Sequence, residues 1–206
     1  MAADLVLFID AQNMYKDARE VFFVDTGAEQ SSHVCGQFHP RALGEYIAGS
    51  RPFGASKQDR VLKQVRIYSG APSLSKDNRA HAAHRRQVAQ WEKEGAFPVI
   101  RPLRYPFDWP KSRPIQKGVD VALAIDFVIF ALEGGFDIGV IASTDTDIKP
   151  AIEYVVSKGK LAVEVAAWLC ASGKHLSIPG AHVWWHRLDR KAFEKVADYR
   201  DYNLAD

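Results

Sequence analysis

Four carboxylates stand in three short segments of the chain. Asp10 opens Asp10-Ala-Gln-Asn13 after an apolar run at 5–9. Asp120 closes Lys117-Gly-Val-Asp120, and Asp145 and Asp147 share Ser143-Thr-Asp-Thr-Asp147. Carboxylates brought together raise one another's pKa and destabilise a fold unless a cation neutralises them. Hard oxygen ligands without nearby cysteines or paired histidines favour Mg²⁺ or Mn²⁺ over zinc. A metal held by a few carboxylates, with open water positions, can generate hydroxide and stabilise an in-line phosphoryl displacement. Asn13 is neutral, so its amide can orient a water or hold a carboxylate without adding charge. Each acid also has a structural explanation. Asp10 and Asp145 suit helix N-caps, while Asp120 and Asp147 complement helix dipoles. What favours chemistry is that three segments converge. Asp126, in mid-helix among apolar neighbours, needs a partner and is assigned a supporting role, with Lys117 or a backbone amide as the expected partner. Ser143 is grouped with it.

The elements that must position these acids follow from periodicity. Strands are expected at 5–9, 61–68, 97–100, 138–142 and 161–166, with a sixth at 183–185. Helices are expected at 11–22, 40–49, 75–95, 117–132 and 145–158, with a short one from about Asp189. Pro40 starts the second helix; Ser75 is the expected cap of the third, and Gly95, Gly134-Gly135 and Gly159 are stop signals. Residues 24–37 are irregular, 49–59 form a loop, and 101–116 form another, punctuated by Pro102, Pro106, Pro110 and Pro114. Strands alternating with helices specify an α/β domain with a mostly parallel central sheet of five to six strands, read as one domain over 1–206. In such sheets ligands bind beyond the carboxyl ends of the strands, where Asp10, Asn13, Asp145 and Asp147 are expected.

The chain has 206 residues, 47% hydrophobic and 25% charged, a composition that excludes a disordered chain. No window is long and apolar enough for a membrane span, and the first ten residues lack the basic region of a signal peptide. Two cysteines, Cys35 and Cys170, cannot build a disulfide framework, so a reducing cytoplasm is expected. His33, Cys35 and His39 match no zinc spacing, and Gly173-Lys174 lacks a P-loop's glycines. The net charge of +2 conceals an asymmetry: residues 57–118 carry 14 basic and 5 acidic side chains, and the remainder 13 and 20. A basic middle flanked by acidic ends accords with a polyanion partner and a metal site. Within it, Arg101, Arg104, Lys111 and Arg113 interleave with Tyr105, Phe107 and Trp109 and lead into Lys117. Single-stranded RNA stacks bases on such aromatics while cations track its phosphates, although the same rings can pack on the core. Arg79 and Arg86, seven apart on one predicted helix face, suit either phosphate binding or a solvated surface. The apolar helix from Val119 could serve a homodimer interface.

These motifs carry a resemblance. The chain resembles the NYN domain family, in the LabA-like branch of the PIN-like nuclease superfamily. It does so through Phe8-Ile-Asp10-Ala-Gln-Asn13, Lys117-Gly-Val-Asp120-Val-Ala-Leu-Ala-Ile-Asp126 and Ser143-Thr-Asp145-Thr-Asp147-Ile-Lys-Pro150. The likeness runs from about residue 4 to 170, with 171–206 an extension or a last strand and helix. Thr144 stands where the family's third motif has glycine, and the insert at 22–40 is longer than the family's usual link. The resemblance implies a PIN-like three-layer sandwich and a Mg²⁺- or Mn²⁺-dependent ribonuclease. It also implies Asp10, Asp120, Asp145 and Asp147 as the metal cluster and RNA as the substrate. The alternatives are an RNA-binding or regulatory module of the same fold, or a metal-dependent phosphatase. A phosphatase of the haloacid-dehalogenase type wants a second Asp where Gln12 stands.

Overall fold

A computed structural model describes residues 2–23, 32–50, 59–170, 172–181 and 183–204. Expectations falling on 24–31 and 51–58 lie outside the described residues.

The first apolar run is β1 (Ala3–Asp10), in which every residue but Asp4 is buried. Strand side chains alternate between faces. Leu5, Leu7 and Ile9 enter one core, Val6 and Phe8 the other. The remaining elements are α1 (Ala11–Phe23), α2 (Pro40–Gly49), β2 (Arg60–Ala71), α3 (Asn78–Lys93), β3 (Phe97–Pro102), α4 (Val119–Leu132), β4 (Ile138–Ala142), α5 (Lys149–Ser157), β5 (Ala162–Trp168), β6 (Trp184–Leu188) and α6 (Arg190–Val196). The sheet runs β3-β2-β1-β4-β5-β6, and every neighbouring pair is parallel. The expected α/β sandwich is therefore present, with a six-stranded sheet that is wholly parallel.

Strand order reverses at β1. The chain builds outward through β2 and β3, then returns to the other side of β1 for β4. Because parallel crossovers are right-handed, reversing direction moves the helices to the opposite face. Side chains of α1, α2 and α6, with Trp91 of α3, fill one core; α4 and α5 fill the other. The carboxyl ends of β1 and β4 diverge at this switch point, leaving the crevice that the fold class uses for ligands.

Phe8 fixes α4 to the sheet there. It is fully buried and meets Phe127, Phe130 and Phe136 edge-on at 5.3, 5.7 and 5.9 Å. Phe8→Ala should cost about 3–5 kcal/mol and loosen the helix that carries Asp120. A Cβ on Gly139 would lie 2.6 Å from Phe136 and 2.7 Å from Phe127, so only glycine lets these rings close over β4. On the opposite core, Arg60 at the start of β2 donates two hydrogen bonds to Glu164 of β5, which also meets His186 of β6 at 2.7 Å. This buried group is fully paired, as burial of charge requires.

Several boundaries differ from the periodicity. The third helix starts at Asn78, capped by Asp77 (whose carboxylate accepts from the Ala80 N–H at 2.9 Å) and not by Ser75. The expected helix 145–158 is a 3-10 turn, Thr146–Ile148, followed by α5, because Pro150 fits the first turn of a helix and not its interior. Strands β1, β2 and β3 run longer than expected, and β5 starts one residue later and ends two later, since ladder hydrogen bonds extend beyond the apolar pattern. The last strand is Trp184–Leu188, not 183–185, and continues the sheet into the C-terminal segment.

Candidate metal centre

Asp10 is the last residue of β1 and is only 4% exposed. Its Oδ1 accepts the Asn13 N–H at 3.0 Å and its Oδ2 faces the Ser143 hydroxyl at 3.4 Å. Asp145 follows β4. Its N–H donates to Ser143 Oγ at 3.1 Å, and its carboxylate accepts the Asp147 N–H at 2.9 Å. Asp120 lies in the first turn of α4, where Gly118 enters the helix at φ 77°, a left-handed conformation that glycine adopts without strain. Lys117 therefore sits in the loop before α4, and the expected start at 117 is corrected to Val119.

Asp10, Asp120 and Asp145 each offer an oxygen within 4.8 Å of the other two. Capping and clustering coexist, because a carboxylate has two oxygens with several acceptor sites. Burial above all, then the charges of Asp120 and Asp145, pushes the Asp10 pKa up to about 6, against the lowering pull of the Asn13 N–H. Burial and the neighbouring Asp145 also raise Asp120. Three acids from three segments, one almost solvent-free, are an arrangement that a divalent cation relieves. The donor set is all hard oxygen and fits Mg²⁺ or Mn²⁺.

Asp147 departs from the expected four-acid cluster. It is exposed and stands outside the group of three, acting on Asp120 through its charge. Asp147 lies within the 3-10 turn, where its side chain faces solvent. Asn13 contacts neither Asp120 nor Asp145 through any identified hydrogen bond; its amide pairs with Thr144 instead. The Thr144 N–H donates to Asn13 Oδ1 at 2.8 Å, and Asn13 Nδ2 donates to Thr144 Oγ1 at 3.2 Å. Thr144 Oγ1 in turn donates to Asp17 at 2.7 Å. Sequence reasoning does not single out Asp17. The signal available for it is its place on α1, four residues after Asn13 and so on the same helix face. Thr144, at the position where the family's motif has glycine, thus uses its hydroxyl.

Asp126 has a different partner from the one expected. Arg66 Nη2 at 2.7 Å and the Tyr68 hydroxyl at 2.8 Å both donate to its Oδ2, so Lys117 and backbone amides play no part. Residues 66 and 68 share one face of β2, and α4 lays Asp126 across it.

In the basic loop, Arg101, Arg104, Lys111, Arg113 and Lys117 are all exposed. Arg104 bridges to Ile115 across the loop. The aromatics divide: Tyr105 and Trp109 meet edge-on at 4.9 Å, with the Tyr105 hydroxyl accepting the Ser73 N–H, while Phe107 projects fully into solvent. Arg86, expected on the same face as Arg79, donates to the Tyr202 carbonyl. His33 pairs with Asp201, and His39 with Glu94, leaving no zinc arrangement among the described residues. Trp185 stacks on His175 at 3.9 Å.

A parallel α/β sheet with a carboxylate cluster at its switch point defines a class of metal-compatible α/β proteins. Its particular family is shown by the NYN domain model, which matches residues 4–176. The chain belongs to the NYN domain family, and so to the PIN-like nuclease superfamily. Among solved structures it is similar to VPA0982, a protein of unknown function from Vibrio parahaemolyticus. The two share 17% identity with a TM-score of 0.50, over 81% of this chain and 82% of the other. That likeness concerns the fold. No curated protein matches the sequence. No described helix is long and apolar enough to cross a membrane.

Proposed function

We propose that this protein is a divalent-metal-dependent ribonuclease that hydrolyses RNA phosphodiester bonds at the Asp10, Asp120 and Asp145 cluster. The observation that carries this is the convergence of three acids from separate segments to within 4.8 Å, one of them almost wholly buried. Asp10, Asp120 and Asp145 hold Mg²⁺ or Mn²⁺, with Asp147 contributing from the solvent side. A bound divalent ion supplies charge neutralisation and acidified water for in-line attack at phosphorus. The chain's own residues do the positioning. Ser143 and Asn13 fix Asp10, Asn13 and Thr144 hold the loop after β4 against α1, and Asp126 seats Arg66 and Tyr68 beneath α4. Arg101, Arg104, Lys111, Arg113 and Lys117 track RNA phosphates, and Tyr105 and Trp109 present rings beside them.

The test compares wild type with Asp10→Asn and Asp145→Asn on a mixed RNA pool with Mn²⁺. Cleavage by wild type, lost in both variants, is expected; equal cleavage by all three overturns the proposal. Mn²⁺ should also raise the wild-type melting temperature and leave that of Asp10→Asn unchanged. RNA binding without turnover in any metal would instead favour the binding-module reading, and phosphate release from a phosphomonoester the phosphatase reading.

Two further assignments belong with this proposal. Cys35 and Cys170 are thiols, in accord with a reducing cytoplasm. The homodimer has a surface to use: Val121, Ile125, Ile129 and Leu132 recur at helical spacing on α4 and are 59%, 53%, 42% and 60% exposed. A dimer in sedimentation that Ile125→Asp converts to a monomer is the expected outcome, and a wild-type monomer at high concentration overturns it.

A further inference from the structure

A cavity opens at the carboxyl end of the sheet, on the face that α1 and α3 cover. It measures about 310 Å³ and lies between α1, α3 and the carboxyl end of β2. Ala11 and Gln12 of its wall directly follow Asp10. Ser69 and Gly70 directly follow Tyr68, the register partner of Asp10 across the β1–β2 ladder. Gln116, also in the wall, is the neighbour of Lys117 at the end of the basic loop. The cavity therefore lies at the same carboxyl end of the sheet as the cluster, on the α1 and α3 side, with Gln116 leading from it into the cationic loop.

Its lining mixes apolar and polar side chains. Among the described residues no Asp, Glu, Lys or Arg contributes to it, and His33 of the wall is paired with Asp201. Gln12, Gln87 and Gln116 each bring an amide with both donors and an acceptor. His84 is held neutral, because burial and then the charge of His81 pull its pKa down to about 4; its Nε2 meets Ser69 Oγ at 3.2 Å. Trp91 lies at the wall and is 4% exposed. Its indole N–H and the Gln37 Oε1, both in wall residues, are buried without a hydrogen-bond partner. Unsatisfied buried polar groups are uncommon and call for an explanation.

Such a wall offers a phosphate no lysine or arginine and a metal ion no carboxylate. It matches a flat neutral heterocycle with donors and acceptors on its edge. Glutamine amides pair in bidentate fashion with base edges, and unstacked RNA bases settle on aromatic and histidine rings. The volume, at the lower end of ligand sites, suits one base and not a base pair.

We propose that this cavity receives one unpaired RNA base next to the scissile phosphate, making the protein selective for single-stranded RNA and for base identity at that position. The inference rests on the ribonuclease reading, because the base is delivered by an RNA strand whose phosphate lies at Asp10. Gln87 and Gln116 are specificity residues here and touch none of the three acids.

The test uses the full chain with two variants, Gln87→Leu and Ala83→Phe; Ala83 lies in the wall, and the larger ring fills the space. Cleavage is followed on the four homopolymeric RNAs and on a heteropolymer carrying a single abasic site. Wild type should prefer one or two homopolymers about tenfold or more, the scale of one good base contact. Both variants should flatten that preference, chiefly through KM, and an abasic site at the cut position should remove the difference between wild type and variants. Equal wild-type rates on all four homopolymers, or a preference unchanged in both variants, overturns the proposal.

A second readout separates it from the parent reading. In EDTA, the Trp91 indole N–H resonance of the protein is titrated with each ribonucleoside monophosphate. A saturable shift that Ala83→Phe abolishes supports the base site even if no RNA is cleaved, in which case the ribonuclease reading alone fails. No shift with any of the four overturns the base site even if RNA is cleaved.

Discussion

Asn13 and Thr144 are joined twice, by the Thr144 N–H to Asn13 Oδ1 at 2.8 Å and by Asn13 Nδ2 to Thr144 Oγ1 at 3.2 Å. One residue opens α1 and the other leaves β4, 131 positions later in the chain. The pair thus clamps the two sides of the crevice together and fixes the separation of Asp10 from Asp145. Asn13→Ala leaves the Thr144 N–H without its acceptor, in a residue only 6% exposed. A loss of about 1–3 kcal/mol in stability is expected from denaturant titration. Weaker Mn²⁺ binding by calorimetry should accompany it, and unchanged Mn²⁺ affinity would show that the clamp does not set the acid spacing.

The raised pKa of Asp10 predicts how stability depends on pH without metal. Its folded value of about 6 lies above the ordinary 3.8, so the folded state binds the proton more tightly. This group therefore leaves stability intact below about pH 4, and stability falls as pH rises through about 6. The loss is at most about 3 kcal/mol at pH 8. Asp10→Asn keeps a capping oxygen for the Asn13 N–H but carries no charge. In EDTA it should melt higher than wild type at pH 8 and level with it at pH 4. A variant that is less stable than wild type at pH 8 would contradict this.

Asp126→Ala removes the acceptor shared by Arg66 and Tyr68. The Arg66 side chain is 11% exposed, so an unpaired cation is left at low solvation, while Asp126 itself is 28% exposed. A destabilisation of about 2 kcal/mol follows, below the range for a fully buried pair. Asp126→Asn, which retains an acceptor, should recover part of it. If Asp126 were a metal ligand instead, the same variants would lower Mn²⁺ affinity with little change in apo stability.

Lys111, Arg113 and Lys117 are exposed and need not support the fold, so their replacement by Ala should change melting temperature little. RNA affinity should fall, and the slope of log affinity against log salt should flatten by about 0.7 for each single-strand phosphate that is no longer neutralised. An unaltered slope in the triple variant would remove this loop from the RNA path.

Much of this architecture is legible in the sequence because it follows from local rules. Residues 5–9 are apolar without a break, which a strand covered on both faces requires, and β1 is that strand. Alternation of strand and helix dictates a parallel sheet, and the spacing of Asp10, Asp120 and Asp145 places each at a strand or helix end. Periodicity is blind to how far the ladder bonds of β2 and β6 continue, and to the 3-10 turn that Pro150 forces after Asp145.

Tertiary structure alone decided which of these residues meet. Whether four acids or three share a site depends on the path of one short turn, and that turn leaves Asp147 in solvent. Asp126 found Arg66 and Tyr68 because helix α4 crosses β2, a relation between segments 58 and 60 residues apart that no local pattern encodes. The same holds for Asp17 beside Thr144, and for the cavity walled by α1, α3 and the end of β2. Backbone conformation is set by neighbours in the chain, so sequence determines the elements. Contacts across the crevice are set by packing Phe8 against Phe127 and by the reversal of strand order at β1, and these exist only once the sheet is assembled.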